Sequence, residues 1–289
     1  MKPFDIAGAA LAAQGPHEIH ADIEFARDAG GMTYVRHQRA GYPFHLGRAL
    51  RSPGDPAGMA TLYLQSCSGG IFGGDDLRLR IDAGAGAAAH VTSGASTIVH
   101  SMERDPARQR MEIHAREDSF LEYLPDPAIL FPCARLDSGM RMRVHPGSTV
   151  IVGDAMLLHD PTGGDGVFDW LRSETRIEDS SGKLLACDRF HIDGSQFVRG
   201  LAGIAGTSAA QGSLFVVTGL KQAGELVAVM RAAMTVPGIY AGAALLPNCS
   251  GAWARMLAVD AEALKSAMFN AWAAARNLLT GCTPLQRRK

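Results

Sequence analysis

Three short segments alternate apolar with polar residues: Leu79-Arg80-Ile81-Asp82, Met111-Glu112-Ile113-His114 and Met142-Arg143-Val144-His145. A period of two marks a half-buried strand, so Leu79, Ile81, Met111, Ile113, Met142 and Val144 are expected to share one face. Each segment runs into a turn, at Ala83 to Gly86, Arg116 to Ser119 and Pro146 to Ser148. A second strand follows each turn, near Ala88 to Val91, Phe120 to Leu124 and Thr149 to Val152. The offsets from 79 to 111 and from 111 to 142, 32 and 31 residues, predict stacked repeat units. In register, Arg80, Glu112 and Arg143 form an outward row of alternating charge, which cross-strand pairing favours. The alternative is three unrelated amphipathic strands in a β-sandwich.

Further strands are expected at Thr33 to His37, Arg172 to Ile177, Lys183 to Ile192 and Ser213 to Val217, where β-branched or alternating residues lie between Gly, Asp and Ser. Gly224 to Met234 and Ala261 to Thr280 have helical spacing instead. In the second, Leu264, Met268, Trp272, Ala275 and Leu279 make one face, Asp260 is a natural N-cap and Gly281 a stop signal. The expected fold is therefore mainly β: a β-helical, solenoid-like stack of strands with two helices, one near the C-terminus. One domain is expected over 1–289, with 1–30 and 282–289 peripheral. Ser52 to Gly58 and Asp160 to Gly166 read as long surface loops.

Bulk properties narrow the function. The chain of 289 residues is 47% hydrophobic and 20% charged, the balance of an ordinary globular protein. Its formal net charge of -1 supplies no global field for nucleic acid or an anionic membrane, so neither is an expected partner. Five widely separated cysteines, with no close CxxC pair, fit free thiols in a reducing compartment, and a cytoplasmic location is expected. No uninterrupted apolar run approaches the ~20 residues that span a bilayer. Asp5 argues against reading the Ala-rich run Ile6 to Ala13 as a signal peptide, and the basic end Gln286 to Lys289 reads as a solvated tail.

The most unusual local sequence is Cys67-Ser68-Gly69-Gly70-Ile71-Phe72-Gly73-Gly74-Asp75-Asp76. A phosphate loop is rejected because these glycines lead into the strand pattern of Leu77 to Ile81, so no helix N-terminus follows to receive an anion. The glycines supply positive-φ turns or close backbone approach, with Ile71 and Phe72 expected as core anchors. After the loop come a strand, then Val91-Thr92-Ser93-Gly94-Ala95-Ser96-Thr97, then Leu121-Glu122-Tyr123-Leu124-Pro125. That ordered set resembles the UreD (UreH) family of urease accessory proteins. The likeness extends through Ala241-Gly242-Ala243-Ala244-Leu245-Leu246-Pro247-Asn248, Asp260 to Leu264 and the Trp272 helix, and covers about residues 60 to 281. The family usually carries two prolines where this chain has Cys67 and Ser68.

The resemblance implies a β-helical fold with two helices and a non-enzymatic role. Family members bind UreF, recruit the nickel-carrying GTPase UreG through it, and dock on apo-urease for GTP-dependent nickel delivery. Nickel is then in transit, and no bound cofactor is expected. The candidate partner and metal-passage residues are Cys67, Gly69, Gly70, Gly73, Gly74, Asp75, Asp76, Thr92, Ser93 and Glu122, with Cys67, Asp75 and Glu122 along an interior route. The rival readings are a β-solenoid hydrolase acting on a carbohydrate through Asp75, Asp76 and Glu122, and a generic protein-binding β module.

Nickel prefers imidazole nitrogen, with thiolate and carboxylate also possible. None of the ten histidines lies in an HxH or HExxH arrangement. Repeat stacking would place Asp82, His114 and His145 on successive turns about 4.8 Å apart. The preferred reading is a solvated row at strand ends, and the alternative is a transient metal ladder. Asp75 and Asp76 read as loop-fixing acceptors, since neighbours on a strand point to opposite faces.

Overall fold

Strands that are apolar on alternate residues bury their apolar face only by stacking on one another, and the computed structural model, which describes residues 20–219 and 223–286, shows them coiled into four turns. The Ala-rich run Ile6 to Ala13 and residues 287–289 lie outside the described residues. The first turn holds β1 (Ala21–Arg27), β2 (Thr33–Ala40), β3 (Phe44–Leu46) and β4 (Ala60–Ser66). The second is β5 (Asp76–Ala83), β6 (Ala88–Ser93) and β7 (Thr97–Val99); the third is β8 (Ala107–Ala115), β9 (Phe120–Leu124) and β10 (Ala128–Leu130). The fourth is β11 (Arg135–Val144) and β12 (Thr149–Leu158), a long strand whose first half pairs with β9 and whose last residues pair with β10.

Beyond the coil come β13 (Trp170–Asp179), β14 (Leu184–Asp193), the one-turn helix α1 (Gly194–Phe197) and β15 (Ala210–Thr218). The chain then continues through α2 (Ala223–Ala233), β16 (Ile239–Leu245), β17 (Gly251–Ala258) and α3 (Ala261–Thr280). One sheet runs β14-β13-β11-β8-β5-β1-β2 and the other β16-β17-β15-β12-β9-β6-β4-β3, with β7 and β10 forming a narrow third wall. The successive coil strands are parallel, and antiparallel strands close both ends of the stack.

The expected face is observed: Leu79, Ile81, Met111, Ile113 and Met142 are buried between the two sheets, with Val144 packed at their margin. The register differs from expectation in the fourth turn. Met111 pairs with Met140 and Ile113 with Met142, so the outward row is Arg80, Glu112 and Arg141, with Arg143 one rung further along beside His114. The cause is a shorter corner: between paired positions, seven residues (100–106) separate Val99 from Ala107, but only five (131–135) separate Leu130 from Leu136. Period-two alternation tolerates a two-residue slip because it returns every side chain to the same face.

Residues 21–27 are a correction to the expectation that 1–30 is peripheral. β1 lies inside its sheet between β2 and β5, with Ala21, Ile23 and Phe25 fully buried. Both expected long helices form, and α3 spans the expected Ala261–Thr280, capped by Asp260 Oδ1 on Ala263 N–H at 2.8 Å and ended by Gly281 at φ +71°. The helices α2 and α3 pack on the outer face of the second sheet, where Leu226, Met230, Leu264, Ala271 and Ala275 cover Ile151, Leu214 and Val216. Among the described residues no helix is long and apolar enough to cross a membrane.

Candidate functional site

The glycine loop joins β4 to β5 at a corner of the first turn. Ile71 is buried and bridges to Val99, as expected of a core anchor. Phe72 is not a core anchor: it is 43% exposed and stacks on His100, ring centroids 4.3 Å apart. It opens an edge of aromatic rings, one per turn, that continues through Phe131 to His159. Gly70, at φ +150°, has no room for a side chain; a Cβ would stand 2.5 Å from the Ile98 carbonyl oxygen. Gly69 and Gly74 also have positive φ, and Gly73 approaches the Asp105 carbonyl. Asp75 accepts from Phe72 N–H at 2.8 Å, the loop-fixing role expected of it, whereas Asp76 accepts from Arg78 at 2.9 Å within β5 and does not fix the loop. Cys67 is exposed, with its N–H on the Pro43 carbonyl.

Thr92 and Ser93 stitch β6 to the following turn. The Thr92 hydroxyl donates to the Leu124 carbonyl at 2.6 Å, while the Ser93 hydroxyl donates to Asp126 at 3.0 Å and accepts from its N–H at 2.7 Å. Glu122 is elsewhere. It lies on the row Thr61, His90, Glu122, Ile151 across the second sheet. Cys67 is six residues beyond Thr61, about 20 Å along the strand direction. The fold thus leaves Cys67 and Asp75 at the corner and sets Glu122 apart, beneath α3.

The row predicted as Asp82, His114, His145 reads Asp82, His114, Arg143, Glu178 in the observed register. His145 instead bonds Glu117 through Nδ1 at 2.8 Å, because the short corner moves it beyond His114. Among the described residues no three His, Cys, Asp or Glu side chains stand close enough to share a metal ion. Burial pushes the Asp82 carboxyl up, but bonds from His114 and from Arg116, whose Nη2 is at 2.7 Å, outweigh it and hold the group at about 2. A carboxyl depressed in the folded state stabilises above its unfolded pKa and loses that stabilisation as pH falls through the folded value. Asp82→Asn is therefore expected to remove about 2 kcal/mol at neutral pH and to flatten the acid loss of stability below about pH 4, as read by urea unfolding across pH.

Around Glu122 the structure assembles residues that no sequence motif marked. Glu122 is fully buried; it accepts from Trp272 Nε1 at 2.8 Å and pairs with His90 Nδ1 at 2.6 Å. Arg276, also fully buried, donates from Nη2 to Asp55 at 2.8 Å. Its Nε lies 3.3 Å from Glu122 without the alignment of a hydrogen bond, and its guanidinium sits over the Trp272 ring. Thr61 completes Asp55 with a bond of 2.9 Å. The loop Ser52 to Gly58 therefore runs over the surface yet sends one carboxylate inward. A sequence signal for His90 existed: it precedes Glu122 by 32 residues, the offset already seen from Leu79 to Met111.

At the far end of the stack the sheets splay, leaving a groove of about 880 Å³ between β14 and β16. Phe190, Tyr240, Gly242, Ala244, Trp253 and Arg255 line it. Arg255 is ion-paired to Asp188 and held between the rings of Phe190 and Trp253, 4.8 and 5.3 Å from their centroids. Two residues of its lining are exposed apolar side chains, Tyr240 at 80% and Ile204 at 48%. Deeper between the sheets, burial pushes the Asp154 carboxyl up, and burial with the Asp154 charge pushes the Tyr123 phenol up. The Ser173 hydroxyl donates to Asp154 at 3.4 Å.

The chain matches the family described as UreD urease accessory protein over residues 17–289. It is 43% identical over 270 residues to Urease accessory protein UreD 1 of Pseudomonas syringae pv. syringae, covering 93% of this chain and 95% of that one. Urease accessory protein UreD 1 of Methylorubrum populi is 38% identical, with 94% and 92% covered. Urease accessory protein UreD of Haloarcula marismortui is 30% identical, with 92% and 89% covered. A match across nearly the whole coil, through the glycine corner, the Glu122 row and the capping helix, places this chain in the UreD family of urease accessory proteins.

Proposed function

We propose that this chain is a non-catalytic scaffold of urease maturation, which binds UreF, recruits the GTPase UreG through it, and docks on apo-urease during GTP-dependent nickel insertion. Nickel is cargo in this reading. The observation that carries it is the pairing of family membership with an open groove that exposes Tyr240 and Ile204. Exposed apolar area of that kind marks protein contact more often than small-molecule chemistry. The carboxylates of the rival hydrolase reading are occupied otherwise: Asp75 fixes the loop, Asp76 pairs with Arg78 along β5, and Glu122 is sealed under α3. Glycoside hydrolysis needs two carboxyls flanking one bond, about 5–10 Å apart around an open cleft.

Co-expression with the urease subunits, UreF and UreG is the test. The chain is expected to co-purify with UreF and apo-urease, and nickel-dependent urease activity is expected to fall when it is omitted. Turnover of a carbohydrate panel by the purified chain, without such co-purification, would replace the scaffold by the hydrolase.

A further inference from the structure

Four ionisable side chains meet in the dry layer between α3 and the second sheet. Glu122 comes from β9, His90 from β6, Arg276 from α3, and Asp55 from the loop before β4. Trp272 of α3 and Thr61 of β4 supply the neutral bonds. His90 is 2% exposed, and Glu122 and Arg276 are wholly buried. Two carboxylates and one guanidinium leave a net charge of minus one in a place without water, and an uncompensated buried charge costs several kcal/mol. The imidazole 2.6 Å from Glu122 is the group positioned to cancel it, by keeping a proton on each nitrogen.

We propose that one proton held by His90 locks α3 onto the solenoid wall, so that the seating of this helix is a pH-sensitive switch built into the fold. With His90 charged, two positive and two negative groups balance and the cluster ties together β6, β9, the Ser52 to Gly58 loop and α3. When the proton leaves, Glu122 and Asp55 share a single guanidinium. The lock is closed at neutral pH and loosens as pH rises through the folded-state titration of His90. Loosening α3 uncovers the apolar layer that Leu264, Ala267, Ala271 and Ala275 seal.

The direct test is the nitrogen NMR signature of His90 in the full chain, assigned by the signal lost in His90→Gln. The imidazolium form is expected to persist at about pH 8, well above an ordinary histidine titration near 6.5; a neutral ring at about pH 7 overturns the proposal. Amide exchange supplies the second readout, since it reports local opening. After correction for intrinsic base catalysis, protection of residues 264–276 is expected to fall about tenfold or more between about pH 7 and pH 9.5, relative to β11. The double variant His90→Gln with Glu122→Gln is balanced at every pH and is expected to show no such fall. Protection that is constant in the wild type, or that falls equally in the double variant, also overturns the proposal. The NMR measurement uses the wild-type protein, so a single variant that fails to fold does not remove the test.

Discussion

Arg276→Ala is expected to lower the free energy of unfolding by about 3–5 kcal/mol, read as a drop in urea midpoint at unchanged slope. Arg276 is the only cation among the described residues bonded to Asp55, and it stands beside Glu122. Its loss strands Asp55 and leaves Glu122 to His90 alone in a buried layer, and the penalty is desolvation rather than the worth of the pair. Adding Asp55→Asn and Glu122→Gln to Arg276→Ala is therefore expected to recover a large part of the loss. If the triple variant is no more stable than the single one, the charges are not the cause and lost packing against Trp272 is. The same cluster gives the C-terminal helix its grip on the first turn, through a bond joining residues 221 positions apart.

The second large effect belongs to the N-terminal strand. Phe25→Ala is expected to cost about 3–5 kcal/mol by the same measurement, the range for emptying a buried aromatic site. Phe25 is wholly buried on β1, which is held by β5 on one side and β2 on the other, so its neighbours cannot collapse freely into the space. A loss below about 1 kcal/mol would mean that β1 is as peripheral as the sequence suggested. The signal is present in the sequence: Ala21-Asp22-Ile23-Glu24-Phe25 alternates apolar with polar as the coil segments do. What the sequence leaves open is the parallel partner β5, which puts this strand inside the sheet.

Local signals were read well because they are satisfied locally. The bounds of α3 follow from a carboxylate that caps its own first turn and a glycine that ends its last one, both within a few residues of the helix. The facing of the coil strands was likewise legible, since alternation assigns each side chain to a side whatever its partner. The loop-fixing part of Asp75 is a bond to a residue three positions away. Phe72 was misplaced because a bulky apolar residue in a loop has two outlets, the core or a neighbouring ring, and His100 arrives from the next turn.

What the chain determined by itself is the kind of coil, its capping helix and, through the ordered glycine, strand and Glu122 motifs, its family. Only the tertiary structure decided the register of the fourth turn, the separation of Cys67 from Glu122, and the meeting of His90, Glu122, Asp55 and Arg276. The reason is physical. Alternation and caps are governed by neighbours a few residues away, whereas register depends on the length of a corner and buried charge balance on groups brought together from distant parts of the chain. A slip of two residues leaves every apolar side chain on its face, yet it exchanges His145 for Arg143 and with it the chemistry of the row.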